Sequence, residues 1–260
     1  MGEVCNEMID FHTHILPGID DGARNIETSV EMLDRMKKQG VDTAVATPHF
    51  YADMMTVDGF LANRKRAYES VESHRKDGWP RIVLGAEVAF FPRISKADRV
   101  AELVFKSDDS EPNKANAVQQ SSESNPLKVL LLEMPFRDWT KSEEAEVITL
   151  AHSGLYIILA HIERFMSPAN EKAIERLLSE PNIKAQVNAN TLTDRRMARR
   201  LLPMYTDGRA KFIGSDCHGV RHRPPNLPTG REALASALGA EFLAKLDKEN
   251  EEFLRAIVGE

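Results

Sequence analysis

Two histidines separated by a single residue open the chemistry of this chain. The stretch Asp10-Phe11-His12-Thr13-His14-Ile15-Leu16-Pro17-Gly18-Ile19-Asp20-Asp21-Gly22 sets His12 and His14 two apart. On a strand that spacing points both imidazoles to one side. Two neutral imidazoles converging on one point suit a divalent transition ion. Pro17-Gly18 then turns the chain, and Asp20-Asp21 brings two carboxylates back toward the same region. A solvated strand end carries the same pattern, so the weight of this pair depends on what recurs downstream.

Similar residues do recur, each closing an apolar run. His49 follows Thr47-Pro48, Glu87 follows Gly85-Ala86, Glu133 follows Leu131-Leu132, His161 follows Ala160, and Asp216 and His218 flank Cys217. A carboxylate buried at the end of such a run is costly unless it is paired or bound to a cation. His12, His14, His49, His161 and His218 with Asp21, Glu87, Glu133 and Asp216 make a donor set without thiolate. It exceeds what one tetrahedral ion needs and suits two or three bridged divalent ions. Manganese fits such mixed nitrogen and oxygen ligation, as do iron, zinc or magnesium. His74 and His152 fall in helical segments and read as structural or solvated.

The elements that must position these residues alternate between two periods. Strands are expected at Met8–His12, Val41–Thr47, Arg81–Val88, Lys128–Glu133, Leu155–His161, Ile183–Val187 and Lys211–Ser215. Helices are expected at Glu27–Gln39, Gly59–Lys76, Lys96–Phe105, Ser142–Ser153, Pro168–Ser179, Thr193–Met204, Arg231–Leu238 and Asn250–Val258. Seven β-then-α units without a β-meander imply parallel strands with right-handed crossovers, closed or nearly closed into a TIM-like (β/α)7 barrel. The strand ends of such a barrel share one face, where active sites are built. The sixth strand offers only Asn188 and Asn190 there. Ser107–Asn125 is polar, lacks aromatic residues and reads as a flexible surface excursion from one domain spanning 1–260.

Composition narrows the classes. The chain has 260 residues, 42% hydrophobic and 28% charged, enough for a sizeable core. Its longest apolar runs are too short to span a bilayer, so no membrane insertion is expected. The start lacks a signal pattern, and two cysteines make no disulfide scaffold, so a reducing cytoplasm is expected. A formal charge of -6 argues against nucleic acid as a partner. Arg195, Arg196, Arg199 and Arg200 lie at helical spacing and read as a solvated face.

Taken in order, the fragments H-x-H, DDG, TPH, GAE, LLEMP, AHIER and SDCH resemble the polymerase and histidinol phosphatase (PHP) superfamily. More narrowly they resemble the metal-dependent bacterial protein-tyrosine phosphatases of the CpsB/CapC type, associated with capsule and exopolysaccharide synthesis. The resemblance implies a distorted seven-stranded barrel and a trinuclear centre. It implies one ion held by His12, His14, Glu87 and Asp216, and a second by Glu87, Glu133 and His161. A third would be held by Asp21, His49 and His218, with Asp21 favoured over Asp20 by the seven-residue step from His14. Arg164 and Arg223 match the family's phosphate-binding positions, and a guanidinium fork suits phosphoryl oxygens. A tyrosine-phosphorylated kinase regulating capsule synthesis is the implied partner. The chain departs from the pattern at Ile162, Phe165 and Gly219, none of which is a ligand.

The implied reaction is metal-assisted hydrolysis of a phosphomonoester, with His222 and Glu163 as candidate proton donors. Phe50, Tyr51, Phe90, Phe136, Trp139 and Phe165 follow ligand positions closely, and one or two of them could wall a slot for an aryl ring. Three rivals stand beside this reading. Cys217 and Arg223 have the Cys-x5-Arg spacing of cysteine-dependent phosphatases, although the loop offers a single glycine to cradle phosphate. A small-molecule phosphatase of the histidinol-phosphate type would use the same centre. A non-catalytic metal-stabilised binding module would also retain the ligands.

Overall fold

The computed structural model describes residues 7–107 and 126–259, so all of the polar excursion but Ser107 lies outside the described residues, as does Cys5. Parallel strands and outer helices alternate as the periodicity predicts. β1 (Ile9–Thr13), β2 (Thr43–Ala46) and β4 (Arg81–Leu84) form one sheet in the order β1-β2-β4. β3 (His49–Phe50), β5 (Glu87–Ala89), β6 (Val129–Glu133), β7 (Tyr156–Leu159), β8 (Ile183–Asn188) and β9 (Ala210–Gly214) form a second, in that order. Every strand pair is parallel. Around them stand α1 (Ile26–Lys38), α2 (Val57–Glu72), α3 (Lys141–His152), α4 (Glu171–Ser179), α5 (Arg195–Thr206), α6 (Leu227–Leu238) and α7 (Ala240–Val258).

Nine strand segments appear where seven were expected, and the breaks have local causes. Between β2 and β3 lies Pro48, which has no N–H to give a ladder. Between β4 and β5 lies Gly85, where a Cβ would meet the Phe105 ring at 2.6 Å. The segment holding that ring intrudes between β4 and β6: Leu84 bridges antiparallel to Lys106, and the Phe105 amide donates to Val129 O at 2.9 Å. This short antiparallel contact splits the strands into two sheets.

The helix expected over Lys96–Phe105 is absent. Only two 3-10 turns form, Ile94–Lys96 and Val100–Glu102. Ile94, Val100, Leu103 and Phe105 are buried at steps of six, three and two, a spacing no helix face can present. The last helix is longer than expected, beginning at Ala240 just after Gly239, whose φ of 95° separates it from α6.

Period-two alternation divides the core. Ala44, Ala46, Ile82, Leu84, Leu130, Leu132, Ile157 and Leu159 pack outward against the helices. Ile9, Phe11, Val45, Val83, Val129, Leu131, Ile158, Ala160 and Phe212, from both sheets, meet in a second cluster with Leu254 and Ile257 of α7. The inner faces of the two sheets therefore look toward each other. Beyond β1 and β9 the backbones also join: Asp216 N donates to His12 O at 2.8 Å and His14 N to Cys217 O at 3.0 Å.

Candidate metal centre

The inner rows of the strands end in ligand-type side chains. Val45, Thr47 and His49 form one row, and Val83, Gly85 and Glu87 another. Val129, Leu131 and Glu133 form a third, and Phe212, Gly214 and Asp216 a fourth. A register irregularity in β1 between Asp10 and Thr13 carries His12 and His14 to the same place. Gly214 permits this approach, since a Cβ there would lie 2.5 Å from His12 Cβ.

Glu87, fully buried, stands at the centre. Its Oε2 is 3.0 Å from His12 Nε2, 3.2 Å from His14 Nε2 and 3.0 Å from His49 Nδ1. Its Oε1 is 2.7 Å from His161 Nε2, which lies 3.3 Å from Glu133 Oε1. Asp216 Oδ1 lies 3.6 and 3.5 Å from the Nε2 atoms of His12 and His14. On the outer side Asp21 Oδ1 faces His218 Nε2 at 3.3 Å and His49 Nε2 at 3.5 Å. All nine side chains singled out in the sequence are thus brought to one cluster, with Asp21 on its exposed edge. Three overlapping groups have ligand atoms within 4.8 Å of one another: His14, Asp21, His49 and His218; His12, His14 and Asp216; His49, Glu87 and Glu133.

This donor set fits divalent cations. His12 Nε2 and His14 Nε2 face each other at 3.1 Å, an arrangement that needs a shared proton or a cation. His49 Nδ1, Asp216 Oδ1 and His218 Nε2 are buried within contact distance of opposite charge yet make no aligned hydrogen bond. Lone pairs aimed past one another at a common point are what a metal site requires. Without ions, charge is shared unevenly. Burial opposes a charge on His14, but hydrogen bonds to Asp20 and Glu87 outweigh it and raise its pKa to about 10. Burial likewise opposes charge on His161, and Glu133 and Glu87 bring it up to about 9. Burial and neighbouring His14 push His218 down to about 4. The histidines hold Glu87 and Asp216 well below the usual carboxylate range against the cost of their burial. Protons on His14 and His161 occupy the electrostatic role that cations would take.

Several residues aim the ligands without belonging to them. Gln186 Oε1 lies 3.0 Å from His12 Nδ1 and accepts from His161 N at 2.7 Å; its amide donates to Asn188 Oδ1 at 2.9 Å. Asn188 in turn donates to Asp216 Oδ2 at 2.8 Å, so it supports a ligand. Asp20 Oδ2 faces His14 Nδ1 at 2.7 Å and accepts from His49 N at 3.0 Å. Asp10 Oδ1 accepts from Ser215 N at 2.8 Å, tying β1 to the end of β9; burial raises this carboxyl to about 6. Such outer contacts fix imidazole orientation. Asp10, Asp20 and Gln186 take these roles without any motif in the sequence to mark them, apart from the polar Gln186 on an inner strand row between outward Ala185 and Val187. His161 and Asp216 hold φ of 29° and 52°, left-handed backbone that clusters at functional sites.

At the rim, Arg164 Nη2 donates to Asp216 Oδ2 at 2.5 Å, and Arg223 pairs with Asp216 Oδ1. Of the aromatic candidates, Phe50, Trp139 and Phe165 are core residues, and Phe90 is half-buried against the core. Tyr51 stacks 5.3 Å from the His49 ring, and Phe136, 65% exposed, lies 6.2 Å from the His161 ring at 26°. Glu163 is held by Asn188 N and Thr191 Oγ1, whereas His222 is exposed. Cys217 is fully buried in the outer core, and burial drives its thiol well above its ordinary value. The loop amide of His218 is already bonded to Arg223 O at 2.8 Å. A thiolate nucleophile needs the opposite of both conditions.

The fold and cluster define a class: an α/β protein with a buried histidine and carboxylate cluster, fit for divalent metal, at the ends of its parallel strands. Residues 8–255 match the family model for capsular polysaccharide synthesis, CpsB/CapC, and the chain belongs to that family. It is 23% identical to the tyrosine-protein phosphatase CpsB of Streptococcus agalactiae, over 94% of this chain and 96% of that protein. It is 26% identical to the tyrosine-protein phosphatase YwqE of Bacillus subtilis, over 95% and 92% of the two. A solved structure from work on YwqE of Bacillus subtilis and CpsB of Streptococcus pneumoniae, described as metal-dependent tyrosine phosphatases, superposes with a TM-score of 0.75. That match is 23% identical and covers 96% of this chain and 95% of the other, which establishes the shared fold. Among the described residues no helix is long and apolar enough to cross a membrane.

Proposed function

We propose that this chain is a metal-dependent protein-tyrosine phosphatase. Its substrate would be a tyrosine-phosphorylated kinase of capsule or exopolysaccharide synthesis. The observation that carries the reading is the convergence of histidines and carboxylates on Glu87, rimmed by two arginines. The names of the family and of the relatives support the substrate class. In this reading His12, His14, Glu87 and Asp216 hold one divalent ion, Glu87, Glu133 and His161 a second, and Asp21, His49 and His218 a third. Manganese suits this thiolate-free set best. Bound ions supply Lewis acidity and lower the pKa of water from about 16 to about 7.

The chain's own residues do the rest. Arg164 and Arg223 hold the non-bridging phosphoryl oxygens, where charge spreads in the transition state. Asp20, Gln186 and Asn188 fix the ligands they bond. Tyr51 and Phe136 flank the leaving aryl ring. A tyrosyl oxygen, with a pKa of about 10, leaves with little help from a general acid. The whole chain acts as one distorted seven-stranded barrel, a reading supported by the shared inner cluster and the bridge of Thr13 to Cys217. Elemental analysis of purified protein, paired with turnover of a phosphotyrosyl peptide before and after chelation, tests the proposal. About two or three ions per chain and loss of turnover on stripping are expected. Full turnover by metal-free protein overturns it.

A further inference from the structure

A cavity of about 540 Å³ adjoins the metal cluster on the α1 side. Asp21, His218 and Arg223 form its wall toward the cluster, and Arg24, Arg221 and His222 line it further out. Three arginines thus share the lining of one cavity with a single carboxylate, which is itself a candidate ligand. Eight arginines elsewhere in the chain pair with acids. Arg35 meets Glu31, Arg75 Glu72, Arg99 Glu102, Arg137 Glu143, Arg176 Glu144, Arg209 Asp207, Arg231 Asp247 and Arg255 Glu251. Arg24 and Arg221 are exposed and have no ion pair among the described residues. In a chain of net charge -6, this is a local cationic surplus placed where substrate must lie.

We propose that this cavity is a second anion subsite. There Arg24 and Arg221 bind a carboxylate or second phosphoryl group on a residue flanking the phosphotyrosine of a peptide substrate. The inference rests on the phosphatase reading above. A cavity of this size takes a side chain in addition to the phosphoryl group held at the cluster. Neighbouring residues of an extended peptide lie about 3.5 Å apart along the chain, which places a flanking side chain within reach. Paired guanidinium forks suit carboxylate and phosphate alike. The subsite thereby offsets the repulsion that an acidic peptide meets from the net charge of the chain.

The test compares kcat/KM of the metal-loaded full chain at fixed ionic strength. The substrates are para-nitrophenyl phosphate and phosphotyrosyl peptides whose flanks are neutral, glutamate-bearing, lysine-bearing or doubly phosphorylated. The Arg24→Ala/Arg221→Ala double variant should lose about tenfold on the anionic-flanked peptides, through KM. Its rates on para-nitrophenyl phosphate and the neutral peptide should not change. The Arg24→Glu/Arg221→Glu variant should shift preference toward the lysine-bearing peptide, an exchange that a structural role would not produce. The glutamate and doubly phosphorylated arms tell which anion is preferred. Equal turnover of all flanks by the native chain, or equal loss on every substrate in the variant, overturns the subsite and leaves the phosphatase reading standing. A native chain active on para-nitrophenyl phosphate but inert on every phosphotyrosyl peptide overturns the phosphotyrosine reading itself.

Discussion

Cys217 lies between two ligand-type residues and six positions before Arg223, so its inertness is a sharp test of which chemistry the site performs. The thiol is fully buried, and burial holds it protonated. Its neighbours His218 and Asp216 face the cluster, while the sulfur packs into the outer core. Cys217→Ala keeps that position apolar, where a serine would bury a hydroxyl. Turnover of para-nitrophenyl phosphate by the metal-loaded variant should match that of the native protein. Abolished turnover with metal content intact would mean that the sulfur attacks phosphorus. The same scale explains what the sequence hid. His49, Glu87, Glu133 and His161 announce themselves as polar ends of apolar runs. Asp10 and Gln186 do not, because their roles depend on partners 205 and 174 residues away.

α3 shows how an element next to the site is anchored. It follows β6, whose last residue is Glu133, and its N-terminus closes the loop bearing Phe136. Thr140 caps it: Glu143 N donates to Thr140 Oγ1 at 3.3 Å, and Thr140 N donates back to Glu143 Oε2 at 2.7 Å. Arg137 pairs with the same carboxylate at 2.5 Å, and this is the main cause of its lowered pKa, helped by Thr140 and opposed by partial burial. A depressed carboxyl stabilises the fold above its unfolded value, near 4.5, and that contribution is lost as pH falls through the folded value. Glu143→Ala should therefore cost about 1 kcal/mol at pH 7 in urea unfolding. The difference from native protein should shrink as pH drops below 4.5. A gap independent of pH would assign the effect to uncharged contacts of the Glu143 side chain instead, since alanine is the better helix former. The helix was legible in the sequence from Ser142, one residue inside its observed start at Lys141. The strand break at Gly85 was not, because it is set by the ring of Phe105, which approaches from a segment that reads as helix and is not one.

Across the whole molecule, one end of the inner core carries the ligands and the other is closed by α7. Leu254 and Ile257 enter the cluster shared by both sheets, with Phe253 packing on its edge against Phe212 at 5.0 Å and Tyr156 at 4.8 Å. Leu127 N donates to Ala256 O at 2.8 Å, so the helix is also stitched to the start of β6. Alternation along the strands then forces a division of labour: apolar inner residues rest on α7, and the charged residue that ends each row projects away from it. Leu254 is 2% exposed, so Leu254→Ala should cost about 2–4 kcal/mol through lost transfer energy and the cavity left behind. The urea midpoint should fall accordingly. At low denaturant, metal content and kcat should remain native, because the cluster is braced at its own end by Gln186 on His12 and His161, by Asp20 on His14 and His49, and by the backbone bonds from Glu87 N to Pro48 O and from Ala160 N to Leu132 O. Loss of bound metal in a variant that is still folded would show instead that the α7 plug sets the geometry of the cluster from the far end of the core.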